Sequence, residues 1–348
     1  MAYRRVAFQK HLPAHSTTAM IESDRPHLLL VNLGTPEAPT PESVRAFLHE
    51  FLSDPAVVDL PKWFWKPVLE KIILKRRPHR VAEAYASIWS NDGSPLRVAT
   101  ERMVKAVRAQ ADGEFTVSSA YRYGQPSLPN EMRRLAAEGG GPVVVLPLYP
   151  HRTDATTATS FCHAQESAEH AGILDRFRQT LVAPDDEGFI AALADRWQDM
   201  LDDAEHEPEH MVISYHGIPK RYDRREKRQY TRDCATTSDA FIKATGWPRD
   251  KVTVAFQSKF GPEPWLTPAT ASVINELPKH GITRVGVITP GFMTDCLETL
   301  EEIGMRAREE FIEHGGHALY LARAVEDHPA MIESLVQCIV GKLETAPR

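Results

Sequence analysis

The sequence predicts an α/β fold of two halves, each a four-stranded parallel sheet flanked by helices, with an active-site cleft between them. Three observations carry this. Eight short apolar runs, rich in β-branched residues, alternate with helix-like segments. They fall into two sets of four, separated by the charged stretch DDAEHEPEH at 202–210. Each run is nearly continuously hydrophobic, as expected of strands covered on both faces rather than one.

Taken in order, the first set reads HLLLVNLG (27–34), FTVSSAY (115–121), PVVVLPLY (142–149) and RQTLVAP (178–184). The second reads HMVISYH (210–216), KVTVAFQS (251–258), RVGVITP (284–290) and HALYLAR (317–323). Ligands of open α/β sheets bind beyond the carboxyl ends of the strands. Those ends carry Asn32, Arg122 with Tyr123, Tyr149, His216, and Ser258 with Lys259, with Asp295 just beyond another.

Bulk properties narrow the function. The 348 residues suit two domains, and 42% hydrophobic with 25% charged residues is an ordinary globular balance. A formal charge of −6 argues against nucleic acid as a partner. No GxGxxG follows a strand and no GxxxxGK[ST] occurs, so a nucleotide is not expected; no GxSxG surrounds Ser214. The four cysteines, at 162, 234, 296 and 338, form no CxxC pair, which fits reduced thiols in a cytoplasmic protein. Residues 1–25 have no apolar core of a secretory signal and read as a loose tail. No apolar run is long enough to span a membrane.

Four constellations carry chemistry. His216 closes a strand just before Gly217 and Pro219, where the chain must turn. It is either a core histidine bonded to a carbonyl, or a group that accepts a proton or holds a metal near neutral pH. In TPGFMTDCLETLEEIGMRAREEF (289–311) a helix is expected from about Thr294 or Asp295. At α-helical periodicity Leu297, Leu300, Ile303, Ala307 and Phe311 share one face, and Asp295, Glu298 and Glu302 cluster on the other. Asp295 with Glu298 fits a D-x-x-E capping box; the same carboxylates, with His216, also suit ferrous iron or a similar cation. Third, PKWFWKPVLEKIILKRRPHR (61–80) holds seven Lys and Arg against Glu70, a local +6, interleaved with Trp63, Phe64, Trp65, Val68, Leu69, Ile72 and Ile73. With Pro67 as first residue it reads as a helix, packed on the core by one face or lying in a membrane interface. The loops FGPEPWLTP (260–268) and AYRYGQPSLP (120–129) place Trp265, Arg122 and Tyr123 where they pack or wall a flat aromatic ligand.

An ordered set of motifs resembles the ferrochelatases, which insert ferrous iron into a porphyrin. They are LLLVNLGTP (28–36), GSPL (93–96), AYRYGQPS (120–127), LPLYP (146–150), SYHGIP (214–219), FQSKFGPEPWL (256–266) and DCLETLEEI (295–303). The resemblance spans about 26–345 and is nearest to the proteobacterial branch. It implies two Rossmann-like, chelatase-type domains, 26–183 with 325–348 and 184–324, the first carrying a hydrophobic lip at 61–80. By the same resemblance His216 and Glu298 are catalytic and meet the metal, with Asp295 and Glu302 secondary. Arg122 and Tyr123 then line the pocket wall, and Arg77, Arg80 and Ser258 approach the propionates. Leu33, Tyr149 and Trp265 complete the expected porphyrin site. In the family branch that uses coproporphyrin a tyrosine precedes the first-strand glycine; Leu33 there, with the greasy basic lip, implies protoporphyrin IX as substrate.

Two departures stand out. Relatives with a [2Fe–2S] cluster carry cysteines in a C-terminal extension and one after the LYP motif; here only Cys338 lies near the end and Asp154 takes the internal position. No cluster and no permanently bound cofactor is therefore expected, with Fe2+ only as substrate. Cys296 stands where some relatives have histidine, which leaves a third metal contact there open. Insertion of a divalent ion releases pyrrole protons, so a base and a desolvating ligand are both required. The expected location is cytoplasmic with peripheral contact at the inner membrane. A chelatase for another tetrapyrrole or metal, or a haem or porphyrin carrier, remain the alternatives.

Overall fold

The computed structural model describes residues 25–344; the expected tail, apart from Arg25, lies outside them. Two parallel four-stranded sheets are present, with orders β2-β1-β3-β4 and β6-β5-β7-β8. The first contains β1 (His27–Asn32), β2 (Thr116–Tyr121), β3 (Val143–Pro147) and β4 (Phe177–Gln179). The second contains β5 (His210–His216), β6 (Val252–Gln257), β7 (Arg284–Ile288) and β8 (Ala318–Leu321). β4 departs from the expected run at 178–184. It pairs only with Val143–Val145, and the chain then leaves the sheet edge so that Val182, 1% exposed, enters the core between the halves.

Helices connect the strands in chain order. α1 (Pro41–Ser53), α2 (Lys62–Val68), α3 (Leu74–Ile88) and α4 (Pro95–Ala111) lie between β1 and β2. Then come α5 (Leu128–Glu138) before β3, α6 (Thr159–His170) before β4, and α7 (Glu187–Asp203) before β5. The second half adds α8 (Lys220–Arg225), α9 (Gln229–Thr245), α10 (Thr270–Glu276) and α11 (Arg308–Glu313), and α12 (Pro329–Glu344) follows β8. α1 starts for local reasons: Thr40 caps it through Ser43 N–H, and Pro41 at the first position donates no hydrogen bond that the helix needs.

One core cluster joins the halves. Leu28, Leu30 and Val144 of the first sheet share it with Met211, Ile213 and Ile288 of the second. α12 packs against both α4 and α7, so the chain's last described helix ties the first half to the second. A separate cluster from α1, α2 and α3 takes in Leu33, Tyr123 and Leu297, and roofs the space between the sheets.

Three helical segments are π rather than α, the short Asp154–Ala158 before α6 among them. Pro67 lies inside α2, not at its start, and the next residues, Leu69–Ile73, form a π-turn before α3. Proline cannot donate to the preceding turn, and a widened turn accommodates the break in the ladder. The helix after β7 is a π-helix over Leu297–Ala307. Its buried residues, with Phe311 beyond, are Thr299, Ile303, Ala307 and Phe311, every fourth residue. The α-helical face expected from Leu297 and Leu300 is corrected accordingly; both are only half-buried.

Candidate functional site

In each sheet the strand order reverses direction at the first strand of its half, β1 and β5, where doubly wound folds open a crevice. Asn32 ends β1 and His216 ends β5. The Asn32 amide donates to Thr100 Oγ1 at 3.0 Å and to Thr294 Oγ1 at 3.1 Å, linking the two crevices.

The turn after His216 is built by close approach. Gly217 donates to Gln257 O at 2.8 Å, and a Cβ on Gly217 would lie 2.7 Å from that oxygen and 3.1 Å from the Trp265 ring. The loop after β6 zips onto this turn through a Pro219–Trp265 bridge. Trp265 therefore backs the turn that carries the histidine. The half-buried His216 faces its own next carbonyl: Nδ1 lies 2.6 Å from Gly217 O. An imidazole nitrogen at that distance from a carbonyl oxygen must be the donor, so Nε2 keeps its lone pair when the ring is neutral. Behind it, Tyr230 donates to His216 O at 2.7 Å. Buried His151 sits edge-on to Tyr215 and Tyr230, with ring centroids 5.0 and 6.3 Å away.

Gln257 pairs with His216 across the sheet, and its amide donates to Glu298 O at 2.7 Å. This bond ties the strand end with the histidine to the first turn of the π-helix. Glu302, one π-helical row further, accepts from Ser258 N–H at 2.8 Å and Ser258 Oγ at 2.6 Å. Ser258 has a left-handed backbone, φ +64°, a strained conformation for a residue with a Cβ. Its hydroxyl donates to Glu302.

Asp295 does not join this row. It is 3% exposed, and its Oδ1 accepts from Thr299 Oγ1 at 3.0 Å and from Ala324 N–H at 3.3 Å. Burial pushes its carboxyl above the ordinary aspartate value. The expected D-x-x-E box is absent: Cys296 caps the helix, in a reciprocal box with Thr299. Burial also raises the Cys296 thiol well above its usual value, with the Glu298 charge next to it adding to the effect. Among the described residues no group of three or more His, Cys, Asp or Glu side chains converges to hold a metal.

A cleft opens between the halves, lined among others by Leu33, Arg77, Tyr85, Leu96, Leu297 and Glu298. His216 is not on its wall. Arg77 lies over the Phe260 ring, 4.8 Å from its centroid, joining α3 to the loop after β6. The Nε of Arg77, the hydroxyl of Tyr149 and the indole N–H of Trp265 are buried without hydrogen-bond partners among the described residues. Burial, then the neighbouring Arg80, lowers the Arg77 guanidinium from its ordinary value, and the Glu298 charge opposes them. Arg80 itself is exposed.

Arg122 and Tyr123 meet on a residue that the sequence did not single out. Asp54, the C-cap of α1, accepts from Arg122, from Tyr123 OH at 2.7 Å and from Thr159 Oγ1 at 3.0 Å. Burial raises this carboxyl, but the Ala56 N–H, Tyr123 and Arg122 outweigh it and leave it below the ordinary range. Tyr123 is 1% exposed, which shields its contact with Asp54 from solvent.

The family model for ferrochelatases matches residues 26–343. The chain belongs to the ferrochelatase family. A ferrochelatase of Pectobacterium atrosepticum is 43% identical over 318 residues, 91% of this chain and 98% of its own. Ferrochelatase 1 of Shewanella oneidensis is 39% identical, covering 88% and 93%. That of Bordetella pertussis is 38% identical, covering 92% and 89%. Among solved structures, SirB from Bacillus subtilis with Fe3+ superposes with a TM-score of 0.54 at 13% identity, over 91% of this chain and 95% of its own. That likeness concerns the chelatase fold alone.

Of the ferrochelatase motifs, LLLVNLGTP, GSPL and DCLETLEEI line the cleft, whereas those that carry Arg122, Tyr149, His216 and Ser258 do not. SYHGIP and FQSKFGPEPWL supply His216, Gln257, Ser258 and Trp265, and DCLETLEEI supplies Glu298 and Glu302. The reading missed Asp54, Gln257 and Glu326. An Asp before Pro55 at a helix end, and a Glu in an unremarkable loop, carry no local signal, because their partners lie far along the chain.

Proposed function

We propose that this chain inserts Fe2+ into protoporphyrin IX, giving protohaem and two protons, the closing step of haem synthesis. The observation that carries it is family membership over residues 26–343, read together with a histidine whose Nδ1 is tied to Gly217 O, which leaves Nε2 as its acceptor. In this reading His216 accepts a pyrrole proton and contacts the incoming ion, and Glu298 is the acidic partner. Glu302, held by Ser258, adds negative charge along the approach; Asp295, buried in its own network, does not touch the metal. The donor of Arg77 without a partner suits a propionate, with Arg80 beside it, and Leu33, Tyr149 and Trp265 contribute to the walls. Iron is a substrate that must move on into the porphyrin, so a permanent cage of ligands is not required.

We assign 26–183 with 325–348 to the first domain and 184–324 to the second, supported by the division of the sheets and by α12 packing on α4. We assign no iron–sulfur cluster. Cys234 and Cys296 are buried in separate core clusters, and Cys338 faces Leu181 O at 3.7 Å. No helix among the described residues is long and apolar enough to cross a membrane. Trp63 at 80%, Ile72 at 55% and Phe64 at 50% exposure lie on the lip among exposed Lys62, Lys66, Lys71, Lys75 and Arg76. This face suits peripheral contact with an anionic bilayer, from the cytoplasmic side of the inner membrane. Trp65 and Leu69 turn inward, so the segment is both a packed helix and an exposed lip.

The deciding experiment is an anaerobic insertion assay followed by the visible spectrum, with protoporphyrin IX, coproporphyrin III and other tetrapyrroles against Fe2+ and Co2+. Turnover of Fe2+ with protoporphyrin IX is expected. Binding without turnover would make the chain a carrier, and preference for another metal or tetrapyrrole would make it a different chelatase.

A further inference from the structure

The turn between β7 and the π-helix decides where Glu298 sits, and one residue grips it at two points. Glu326 donates its N–H to Met293 O at 2.8 Å, and its Oε1 accepts from Asp295 N–H at 3.2 Å. The other carboxylate oxygen pairs with Arg102 of α4, in the first half of the molecule, and lies 3.5 Å from Arg323. Glu326 is 2% exposed, and its backbone is left-handed at φ +46°. A long, charged side chain is thus buried from a strained backbone position that suits Asn better. From the opposite side, Asn32 of β1 holds Thr294. The segment 293–295 is therefore held by Glu326 on one side and by Asn32 on the other.

We propose that Glu326 is a positioning residue: its ion pair with Arg102 sets the start of the π-helix, and thereby places Glu298 in the cleft. The inference rests on the reading in which Glu298 takes part in insertion. A displacement of about 1 Å at a reacting group costs up to about 10²-fold in rate, so a remote anchor of this kind bears on turnover rather than on porphyrin affinity.

The test uses the full chain with Fe2+ and protoporphyrin IX. Glu326→Gln keeps an acceptor for Asp295 N–H but loses the charge that faces Arg102. Glu326→Asn fits the left-handed backbone but falls short of Arg102. Arg102→Met removes the partner, and Arg102→Lys restores a cation. The expected result is a fall in kcat on the order of 10-fold or more in Glu326→Gln, Glu326→Asn and Arg102→Met. The porphyrin KM should be unchanged, Arg102→Lys should recover part of kcat, and the fall in kcat of Glu326→Asn should exceed what its loss of Tm accounts for. Wild-type kcat per folded molecule in Glu326→Asn and Arg102→Met, or losses that merely follow Tm, would overturn it. Glu298→Gln is measured alongside. If it is inactive while Arg102→Met is fully active, this inference alone falls; if it is fully active, the site reading falls as well.

Discussion

The amide of Gln257 donates to the backbone carbonyl of Glu298 at 2.7 Å, while Gln257 itself pairs with His216 across β5 and β6. Two groups far apart in the chain are thus linked through one strand neighbour and one hydrogen bond. Gln257 is 3% exposed, so this bond has no competing water.

His216→Ala should leave porphyrin binding nearly unchanged and reduce kcat by about 10²–10⁴-fold, the usual contribution of a general base. Fluorescence quenching of the porphyrin measures the first and the insertion assay the second. A folded variant with near-normal turnover would show that the imidazole only packs against Phe292, 6.2 Å away.

The two carboxylates of the π-helix should separate in their behaviour. Glu298→Gln is expected to stop insertion with little change in Tm. Glu302→Gln should lower kcat/KM for Fe2+ more mildly and also lower Tm, because it weakens two hydrogen bonds to a strained Ser258. Hydrogen bonds to charged groups contribute about 1.5–3 kcal/mol each, less where solvent reaches them. Equal losses of activity in the two variants would show that the row acts as one unit.

Asp54→Asn should slow insertion through the wall it organises. The amide still accepts from Tyr123 but no longer balances the Arg122 charge, so Arg122 should shift away from its stacked position 4.5 Å over the Tyr123 ring. The expected outcome is a raised porphyrin KM with a smaller change in kcat; an unchanged KM would mean that the wall tolerates the loss.

Acid should destabilise the fold through two buried histidines. Burial lowers His27 to about 4 and His151 to about 3, against 6.5 in the unfolded chain. Between those limits the unfolded state binds protons that the native state refuses, so stability rises with pH and falls as pH drops below about 6.5. The slope should approach one proton for each histidine. Urea unfolding of wild type and His151→Gln across pH 4–7 checks this: the variant should show the shallower dependence.

The fold was legible because strand runs and the helices between them report burial residue by residue. The site was legible only where a residue acts through its own strand end or turn, as His216 does. Asp295 failed this test. Its place at a helix start suggests a ligand or a cap, but its partners Ala324, Arg323 and Glu326 come from a loop beyond β8, and they draw it into the core. The π-helix was hidden for a similar reason. Local sequence predicts α geometry, whereas the spacing of Thr299, Ile303, Ala307 and Phe311 is fixed by what they pack against.

The choice of porphyrin and the contact with membrane can be tested together. Leu33 lines the cleft with a purely apolar side chain, and the lip presents Trp63, Phe64 and Ile72 beside lysines and an arginine. Protoporphyrin IX carries two vinyl groups where coproporphyrin III carries further propionates, and it partitions into bilayers. An apolar wall accepts vinyl groups at no cost, but an additional carboxylate there would be desolvated without a partner. The expected outcome is a higher kcat/KM for protoporphyrin IX. Binding to anionic vesicles should weaken as salt screens the basic residues over a Debye length of about 8–10 Å, and Trp63→Ala with Ile72→Ala should weaken it at every salt concentration. Leu33→Tyr introduces a hydroxyl at the wall and should narrow the preference between the two porphyrins. A wild-type preference for coproporphyrin III would refute the substrate assignment even if the vesicles bind, since the lip can reach a membrane whichever porphyrin it collects.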